Sequence, residues 1–300
     1  MTLRLDWFVN GNNSMYELGV KQGFYKEQGI DLTIGEGKGS STTSQVVGSG
    51  SDMFGIADVT TAAQVAGKGA PITAVASFIR ATPACITVLQ SSGMSKPADI
   101  KGKKIGAPQA SNATILLPAF LAANGMSESD IQTINVEPAA TAQALVDGRI
   151  DGIADLTMSQ APNVAVQLGK PVNLIKYSDY GVSALSTGLI VNNDVLKSNP
   201  DLVKRMVAAT VKSWKYAMDH PDEDIAITKG HNAQGNEEVF KLQLQRALDN
   251  VDTANSKSDP FGYMNQKDID ATVETLQKYM GQKSDWDAKS FFVNDYVPQS

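Results

Sequence analysis

Short apolar runs alternate with stretches of helical periodicity along most of the chain. The runs predict buried strands, and apolar residues that recur every three or four positions predict helices. The first series of predicted elements comprises strands over 4–9, 30–35, 52–57 and 72–78 and helices over 14–28, 43–47 and 60–66. The second comprises strands over 85–90, 104–107, 134–136, 152–154 and 174–177 and helices over 96–102, 111–124, 140–146 and 159–168. A strand over 187–191 then precedes helices over 200–220, 223–229, 236–250 and 266–280. This alternation predicts an α/β fold with largely parallel sheets.

Two segments of the chain echo each other. In residues 45–58 and 143–155, a predicted helix ends at glycine and a short strand closes with Ile-Ala-Asp. The echo predicts two similar α/β lobes, each with an aspartate, Asp58 or Asp155, at the carboxyl end of a strand. Because ligands of open α/β sheets bind beyond such strand ends, two facing edges would form a cleft. A helix cap or turn is the alternative role for each aspartate.

Composition and charge exclude several classes of protein. Hydrophobic residues make up 42% of the 300 residues, which is enough for a sizeable core. The net charge of −6, without a run of like charges, argues against a nucleic-acid binder. Cys85 is the single cysteine and there are 2 histidines, so an internal disulfide, a multi-cysteine zinc site and a His-rich metal centre are excluded. We therefore expect no metal and no cofactor.

The first residues leave the compartment open. Residues 3–9 read as a strand of the folded domain, and no charged segment followed by a long apolar one marks a signal peptide. No apolar run is long enough to span a bilayer. One interpretation is a cytoplasmic protein. The other is an exported protein whose signal is not part of this sequence.

Two predicted helix starts carry small polar residues directly after a strand. They are Gly39-Ser40-Ser41-Thr42 in the first half and Ser111-Asn112-Ala113-Thr114 in the second. Free N–H groups and the helix dipole favour an anion or a polar oxygen at such starts. Ordinary N-capping is the alternative. Ser40, Ser41 and Asn112 are therefore candidate ligand-binding residues.

Other candidates stand at strand ends. Trp7 and Asn10 close the first predicted strand, where Trp7 either fills the core or forms one wall of a flat pocket. Alternation along that strand predicts Asp6 and Phe8 on one face and Trp7 on the other. Arg80 follows an apolar strand and is suited to a carboxylate or sulfonate ligand, or to pairing with an acid of the protein itself.

Catalytic motifs are missing from the sequence. There is no nucleophile elbow, no phosphate-binding loop and no dinucleotide-binding fingerprint. His220 and His231 both stand in the helical C-terminal part, and Cys85 lies within an apolar strand. The residues thus predict a binding protein rather than an enzyme.

Several segments resemble the extracytoplasmic substrate-binding proteins of ABC importers, in the group that serves nitrate, sulfonates, taurine and thiamine-pyrimidine precursors. The matching segments are 23–32, 39–41, 55–58, 97–106 and 199–203. Leu5-Asp6-Trp7 with Asn10 looks most like the pyrimidine-precursor branch. That branch typically has a proline where Val9 stands and a histidine soon after the asparagine, so the sequence departs from it there.

The resemblance implies a periplasmic-binding-protein-like fold of type II, with two α/β lobes joined by a two-strand hinge. Residues 1–83 with 188–300 would form lobe 1, and 84–187 lobe 2. By the same resemblance, the protein is a monomer that closes on a small molecule and delivers it to a membrane permease. The implied pocket residues are Trp7, Asn10, Ser40, Ser41, Asp58, Arg80, Asn112 and Asp155.

The ligand and two alternative functions stay open. Arg80 favours an aromatic acid or a sulfonate, whereas Trp7 with Asp58 and Asp155 favours an amino-bearing heteroaromatic molecule. The first alternative is an enzyme similar to fungal pyrimidine-precursor synthases, which carry a cysteine-rich motif and an active-site histidine. The second is a ligand-sensing domain, for which no attached output domain is visible.

Overall fold

The strands form two five-stranded sheets, each flanked by helices. This computed structural model describes residues 1–108, 111–282 and 285–299. The strand order is β2-β1-β3-β10-β4 in sheet 1 and β7-β6-β8-β5-β9 in sheet 2. The α/β architecture predicted from the sequence is therefore confirmed.

The bounds of the elements follow chain order. The strands are β1 (Thr2–Arg4), β2 (Thr33–Gly35), β3 (Phe54–Asp58), β4 (Ile72–Ser77), β5 (Ala84–Leu89), β6 (Lys104–Gly106), β7 (Gln132–Ile134), β8 (Gly152–Leu156), β9 (Val172–Lys176) and β10 (Thr187–Asn192). The helices are α1 (Met15–Lys21), α2 (Phe24–Glu27), α3 (Ser40–Gly48), α4 (Val59–Ala66), α5 (Asn112–Ala123), α6 (Pro138–Val146), α7 (Gln160–Leu168), α8 (Asn193–Ser198), α9 (Pro200–Asp219), α10 (Pro221–His231), α11 (Glu237–Leu248) and α12 (Gln266–Tyr279).

Each sheet contains one strand that runs against the others. β10 pairs antiparallel with β3 and with β4, and β5 pairs antiparallel with β8 and with β9. The remaining pairs are parallel. In the register of sheet 1, Thr187 lies opposite Asp58. β10 thus places the returning chain beside the end of β3.

Apolar side chains cover both faces of each sheet. In sheet 1, Trp214 of α9 is fully buried and stacks on Phe78, with ring centroids 5.6 Å apart. In sheet 2, Phe120 of α5 stacks on Tyr177 at 4.3 Å. Burial on both faces explains why the strands read as continuous apolar runs rather than alternating ones.

Three features differ from the sequence prediction. The first strand ends at Arg4 rather than at residue 9. The helix predicted over 14–28 divides into α1 and α2 at Gly23, whose φ of 80° lies in the left-handed region. Helix α8, which follows β10 directly, was not predicted.

Two chain crossings connect the sheets, the first over residues 78–83 between β4 and β5 and the second over 177–186 between β9 and β10. The two crossings, which together we call the hinge, pair with each other. Ser186 N–H donates to the carbonyl of Ile79 at 3.0 Å, and Phe78 N–H donates to that of Thr187 at 2.8 Å. The predicted lobe bounds, 1–83 with 188–300 and 84–187, stay a prediction. We use the names lobe 1 and lobe 2 for those ranges.

The described residues offer neither a helix that could cross a bilayer nor a cluster of metal ligands. None of their helices combines the length and apolar character needed to cross a bilayer. No group of three or more His, Cys, Asp or Glu side chains among them is arranged to hold a metal ion.

Candidate ligand-binding site

The segment between β1 and α1 leaves the sheet and forms a tightly bonded loop over residues 6–13. Gly37 N–H donates to Trp7 O at 3.2 Å, and a Cβ at Gly37 would lie 2.0 Å from Leu5 O. Val9 N–H donates to Glu36 Oε1 at 3.0 Å. This close backbone approach of residues 36–37 accounts for the early end of β1, and only glycine fits at position 37.

Trp7 and Phe8 stand out from the surface of this loop. Their side chains are 37% and 52% exposed, and their ring centroids lie 5.2 Å apart. The strand alternation predicted for them was wrong, because the chain is no longer a strand at this point. Trp7 is consequently an exposed aromatic face rather than a core residue.

Asn10 closes the loop on itself. Its Nδ2 donates to Phe8 O at 3.2 Å, and its Oδ1 accepts from Asn12 N–H at 2.9 Å. Gly11 N–H donates to Gln243 Oε1 at 3.1 Å, which ties the loop to α11. The observed contacts of Asn10 fix the loop, and its contact with a ligand stays a prediction.

The start of α3 lies directly beside this loop. Gly39 precedes the helix with a φ of 112°, and its N–H donates to Asp6 O at 2.6 Å. No side chain caps the first turn of α3 among the described residues. Half-buried Ser40 and Ser41 occupy that turn. This end of α3 therefore suits a hydrogen-bond acceptor.

Two aspartates meet at Ser40. Its Oγ donates to Asp6 Oδ2 at 3.4 Å and accepts from Asp58 N–H at 3.0 Å. Burial, and next the charge of Asp58, raise the pKa of Asp6 to about 6. Asp6 as a residue is half-buried, and the removal of its carboxyl from water is the main cause of the raised pKa.

The carboxylate of Asp58 serves the protein itself. Its Oδ1 accepts from Thr61 N–H at 2.7 Å and caps α4, and its Oδ2 accepts from Ser186 Oγ at 2.9 Å. Only 5% of Asp58 is exposed, and burial raises its pKa. The helix-cap alternative thus describes its observed contacts, and direct ligand binding by Asp58 stays a prediction.

Asn112 of lobe 2 contacts α4, the helix that Asp58 caps. It is the first residue of α5, and its Nδ2 donates to Thr61 Oγ1 of α4 at 3.4 Å. Its Oδ1 is buried and has no hydrogen-bond partner among the residues that the structure describes. An unpaired buried oxygen leaves Asn112 able to accept a hydrogen bond from a bound molecule.

Arg80 lies at another place on the hinge, and its guanidinium is bonded to lobe 1. Nε donates to Val251 O at 2.8 Å, Nη1 donates to two further carbonyls, and Nη2 pairs with Asp252. Arg80 is 3% exposed and borders a cavity of about 320 Å³ between the hinge and residues 253–254. These contacts match the pairing with an acid that was the alternative to an anion site.

Asp155 caps a helix in lobe 2. Its carboxylate accepts from the N–H groups of Gln160 and Ala161 and from Thr87 Oγ1. Burial raises its pKa to about 6. All of these partners belong to lobe 2, so the contacts of Asp155 do not join it to the Ser40 cluster.

The structure therefore brings together some of the predicted residues. Hydrogen bonds link Ser40 directly to Asp58, and Asp58 through Thr61 to Asn112. Ser41 follows Ser40 in the chain and Trp7 follows Asp6, whereas the side chain of Asn10 contacts its own loop. Sequence reasoning missed Asp6, Thr61 and Ser186. For Asp6 a signal existed, since it is an acid within an otherwise apolar segment.

The assembled site offers three kinds of contact. Trp7 supplies a flat aromatic face, the start of α3 supplies hydrogen-bond donors, and Asp6 with Asn112 Oδ1 supplies acceptors. No nucleophile with an adjacent base occurs in this set. The arrangement is suited to holding a planar polar molecule.

Comparison with known proteins places the chain in a family. The family model described as NMT1/THI5 like matches residues 10–224. The formylaminopyrimidine-binding protein of Halalkalibacterium halodurans is 21% identical over 92% of this chain and 84% of its own length. The 4-amino-5-hydroxymethyl-2-methylpyrimidine phosphate synthase THI5 of Saccharomyces cerevisiae is 25% identical over 82% of this chain and 75% of its own.

A solved structure shares the fold over nearly the whole chain. The periplasmic aliphatic sulphonate binding protein SsuA from Escherichia coli superposes with a TM-score of 0.73 at 17% identity, covering 93% of this chain and 87% of that one. The predicted periplasmic-binding-protein fold is thereby confirmed. The family model covers well over half of the sequence, and the chain belongs to the NMT1/THI5-like family.

Proposed function

We propose that this chain is the extracytoplasmic solute-binding component of an ABC importer and that its ligand is a planar, amino-bearing nitrogen heterocycle. The lobes close over the ligand by rotation about the two crossings, and the closed monomer delivers it to a membrane permease. The family membership, the shared fold and the relatives' names support the transport role.

The hydrogen-bond partners of Arg80 and Asp6 support the proposed ligand class. Arg80, the cation predicted for an anionic ligand, donates hydrogen bonds to carbonyls of lobe 1 and to Asp252. Asp6 is bonded to Ser40 at a long 3.4 Å and is half-buried beside exposed Trp7. A carboxylate next to an aromatic face suits a ring that carries an amino group.

A thermal-shift screen tests the ligand class. Aminopyrimidines are expected to raise the melting temperature in a concentration-dependent way, because a ligand that binds the native state stabilises it. Alkanesulfonates and aromatic acids form the comparison arms. Stabilisation by sulfonates alone would contradict the proposed ligand and would direct attention to exposed Lys38, which precedes Gly39.

Trp7 and Phe8 provide a matched pair of variants for that screen. Trp7→Ala is expected to weaken aminopyrimidine binding by about 10- to 100-fold, the size of one lost aromatic stacking contact. Phe8→Ala, which removes the more exposed neighbouring ring, is expected to change affinity less than threefold by calorimetry, with ~0.6 kcal/mol as the corresponding limit. Equal losses for the two variants would remove Trp7 from the site.

The yeast synthase among the relatives makes an enzyme the second candidate. The resemblance to fungal synthases implies a cysteine-rich motif and an active-site histidine, whereas this chain has Cys85 alone and its 2 histidines at positions 220 and 231. We expect purified protein to bind an aminopyrimidine without converting it. Formation of a pyrimidine phosphate in a turnover assay would favour the enzyme.

A further inference from the structure

The hinge is bonded to the first turn of α4 at three points. Val59 N–H donates to Ser186 O at 2.8 Å, Thr60 Oγ1 donates to Leu185 O at 2.6 Å, and Ser186 Oγ donates to Asp58 Oδ2 at 2.9 Å. These residues are all buried. The second crossing and the start of α4 therefore move together.

The same helix start touches the opposite lobe. Asp58 Oδ1 accepts from Thr61 N–H at 2.7 Å, and Thr61 Oγ1 accepts from Asn112 Nδ2 at 3.4 Å. Thr61 itself is buried, with 2% of its surface exposed. A continuous chain of hydrogen bonds thus runs from Ser186 through Asp58 and Thr61 to Asn112.

Asp58 occupies the centre of this chain. Each of its carboxylate oxygens has a protein donor, one from the hinge and one from α4. Its own N–H donates to Ser40 Oγ, which also bonds Asp6. Asp58 therefore connects three places: the hinge, the contact between the lobes and the carboxyl of Asp6. Both of its carboxylate oxygens are already used in these protein contacts.

We propose that Asp58 is a positioning residue that couples the hinge to the contact between the lobes. It holds α4 against Ser186 so that Thr61 meets Asn112 when the lobes come together. The proposal rests on the proposed hinge closure. It goes further by assigning the coupling to a chain of four residues, three of them buried, that begins in the hinge itself.

Distance measurements in the ligand-free protein test this coupling. Nitroxide labels at Lys204→Cys in lobe 1 and Glu128→Cys in lobe 2 report the separation of the lobes, since both positions are exposed whereas Cys85 is fully buried. Ser186→Ala and Asp58→Asn are each expected to raise the ratio of long to short distances by about tenfold, as for one lost hydrogen bond to a charged group. The double variant is expected to add little to the larger single effect.

Matched controls separate coupling from general damage. Ser183→Ala removes an exposed hydroxyl from the same crossing and is expected to leave the distances unchanged. Ser186→Thr keeps the hydroxyl and is expected to restore the wild-type distribution. If Asp58→Asn fails to fold, the Ser186 variants decide the question alone.

Two results would overturn the proposal. One is an unchanged distance distribution in Ser186→Ala; the other is an equal change in Ser186→Ala and Ser183→Ala. A loss of aminopyrimidine affinity in Asp58→Asn with unaltered distances would instead make Asp58 a ligand contact. Because the labels are read without ligand, a wrong ligand class leaves this test intact.

Discussion

The protonation state of Asp6 decides what its carboxyl offers a ligand. As a carboxylate it accepts hydrogen bonds from an amino group, and as an acid it loses that charge-assisted contact. Burial and the neighbouring Asp58 raise its pKa to about 6, so the change falls close to neutral pH. Affinity for an amino-bearing ligand should therefore depend on pH.

We expect the affinity for an aminopyrimidine to fall as the pH drops below about 6, by at most ~tenfold per pH unit. Calorimetric titrations of wild type and Asp6→Asn between pH 5 and 8 measure this, over roughly the range set by the raised pKa. The ligand's own titration is common to both proteins, so the difference between the two curves belongs to Asp6. Parallel curves would remove Asp6 from the site.

At the scale of elements, Arg80 anchors the loops that connect α11 and α12. Its guanidinium bonds Val251, Asp252, Pro260 and Tyr263, and it lies 5.9 Å over the Phe261 ring. These loops pack against the first crossing. Arg80 therefore joins the helical C-terminal part to the hinge.

We expect Arg80→Ala to lower the free energy of unfolding by about 3 kcal/mol, because it leaves three part-buried carbonyls without their donor and removes a buried side chain. Ligand affinity of the folded protein should change less than ~threefold, a limit of about 0.6 kcal/mol. Arg149→Ala, which removes an arginine that is 62% exposed, is the control and should cost little in urea unfolding. A large loss of affinity at unchanged stability would return Arg80 to the ligand site.

At the scale of the whole molecule, Asp224 is a buried acid that makes folding sensitive to pH. It is fully buried in α10, where Ser14 Oγ donates to its Oδ2 at 2.7 Å and its Oδ1 has no partner within the described part of the chain. Burial raises its pKa to about 7 from an unfolded value of 3.8. Between those values the folded protein holds a proton that the unfolded chain releases, so stability falls as the pH rises.

The free energy of unfolding should therefore decline between about pH 4 and 7, and Asp224 should account for up to about 4 kcal/mol of that decline. Asp224→Asn keeps an acceptor for Ser14 and removes the titration. Urea unfolding across this pH range should give a flatter profile for the variant, with its advantage greatest at high pH. A variant whose profile runs parallel to wild type would assign the sensitivity to other acids.

Sequence patterns predicted the parts of the molecule that depend on local order. The repeated Ile-Ala-Asp strands pointed to two similar sheets, and both aspartates do stand at strand ends beside helix starts. Local sequence patterns could not identify the partners of Arg80, because Val251 lies 171 residues further along the chain. Nor could they show that Asp58 and Asp155 cap helices, since an acid before a helix reads the same in either role.

The place of β10 in sheet 1 has a consequence for how the protein is made. Residues 187–192 lie between β3 and β4, and they pair with both. When a ribosome has made the first 186 residues, every strand of sheet 2 has been synthesised. Sheet 1 still lacks β10, the strand that lies between β3 and β4. Lobe 2 can thus assemble on the nascent chain, whereas lobe 1 can complete its sheet only after residues 187–192 have been made. The edges of β3 and β4 that later pair with β10 stay unpaired during that interval, and an unpaired strand edge can pair with another chain.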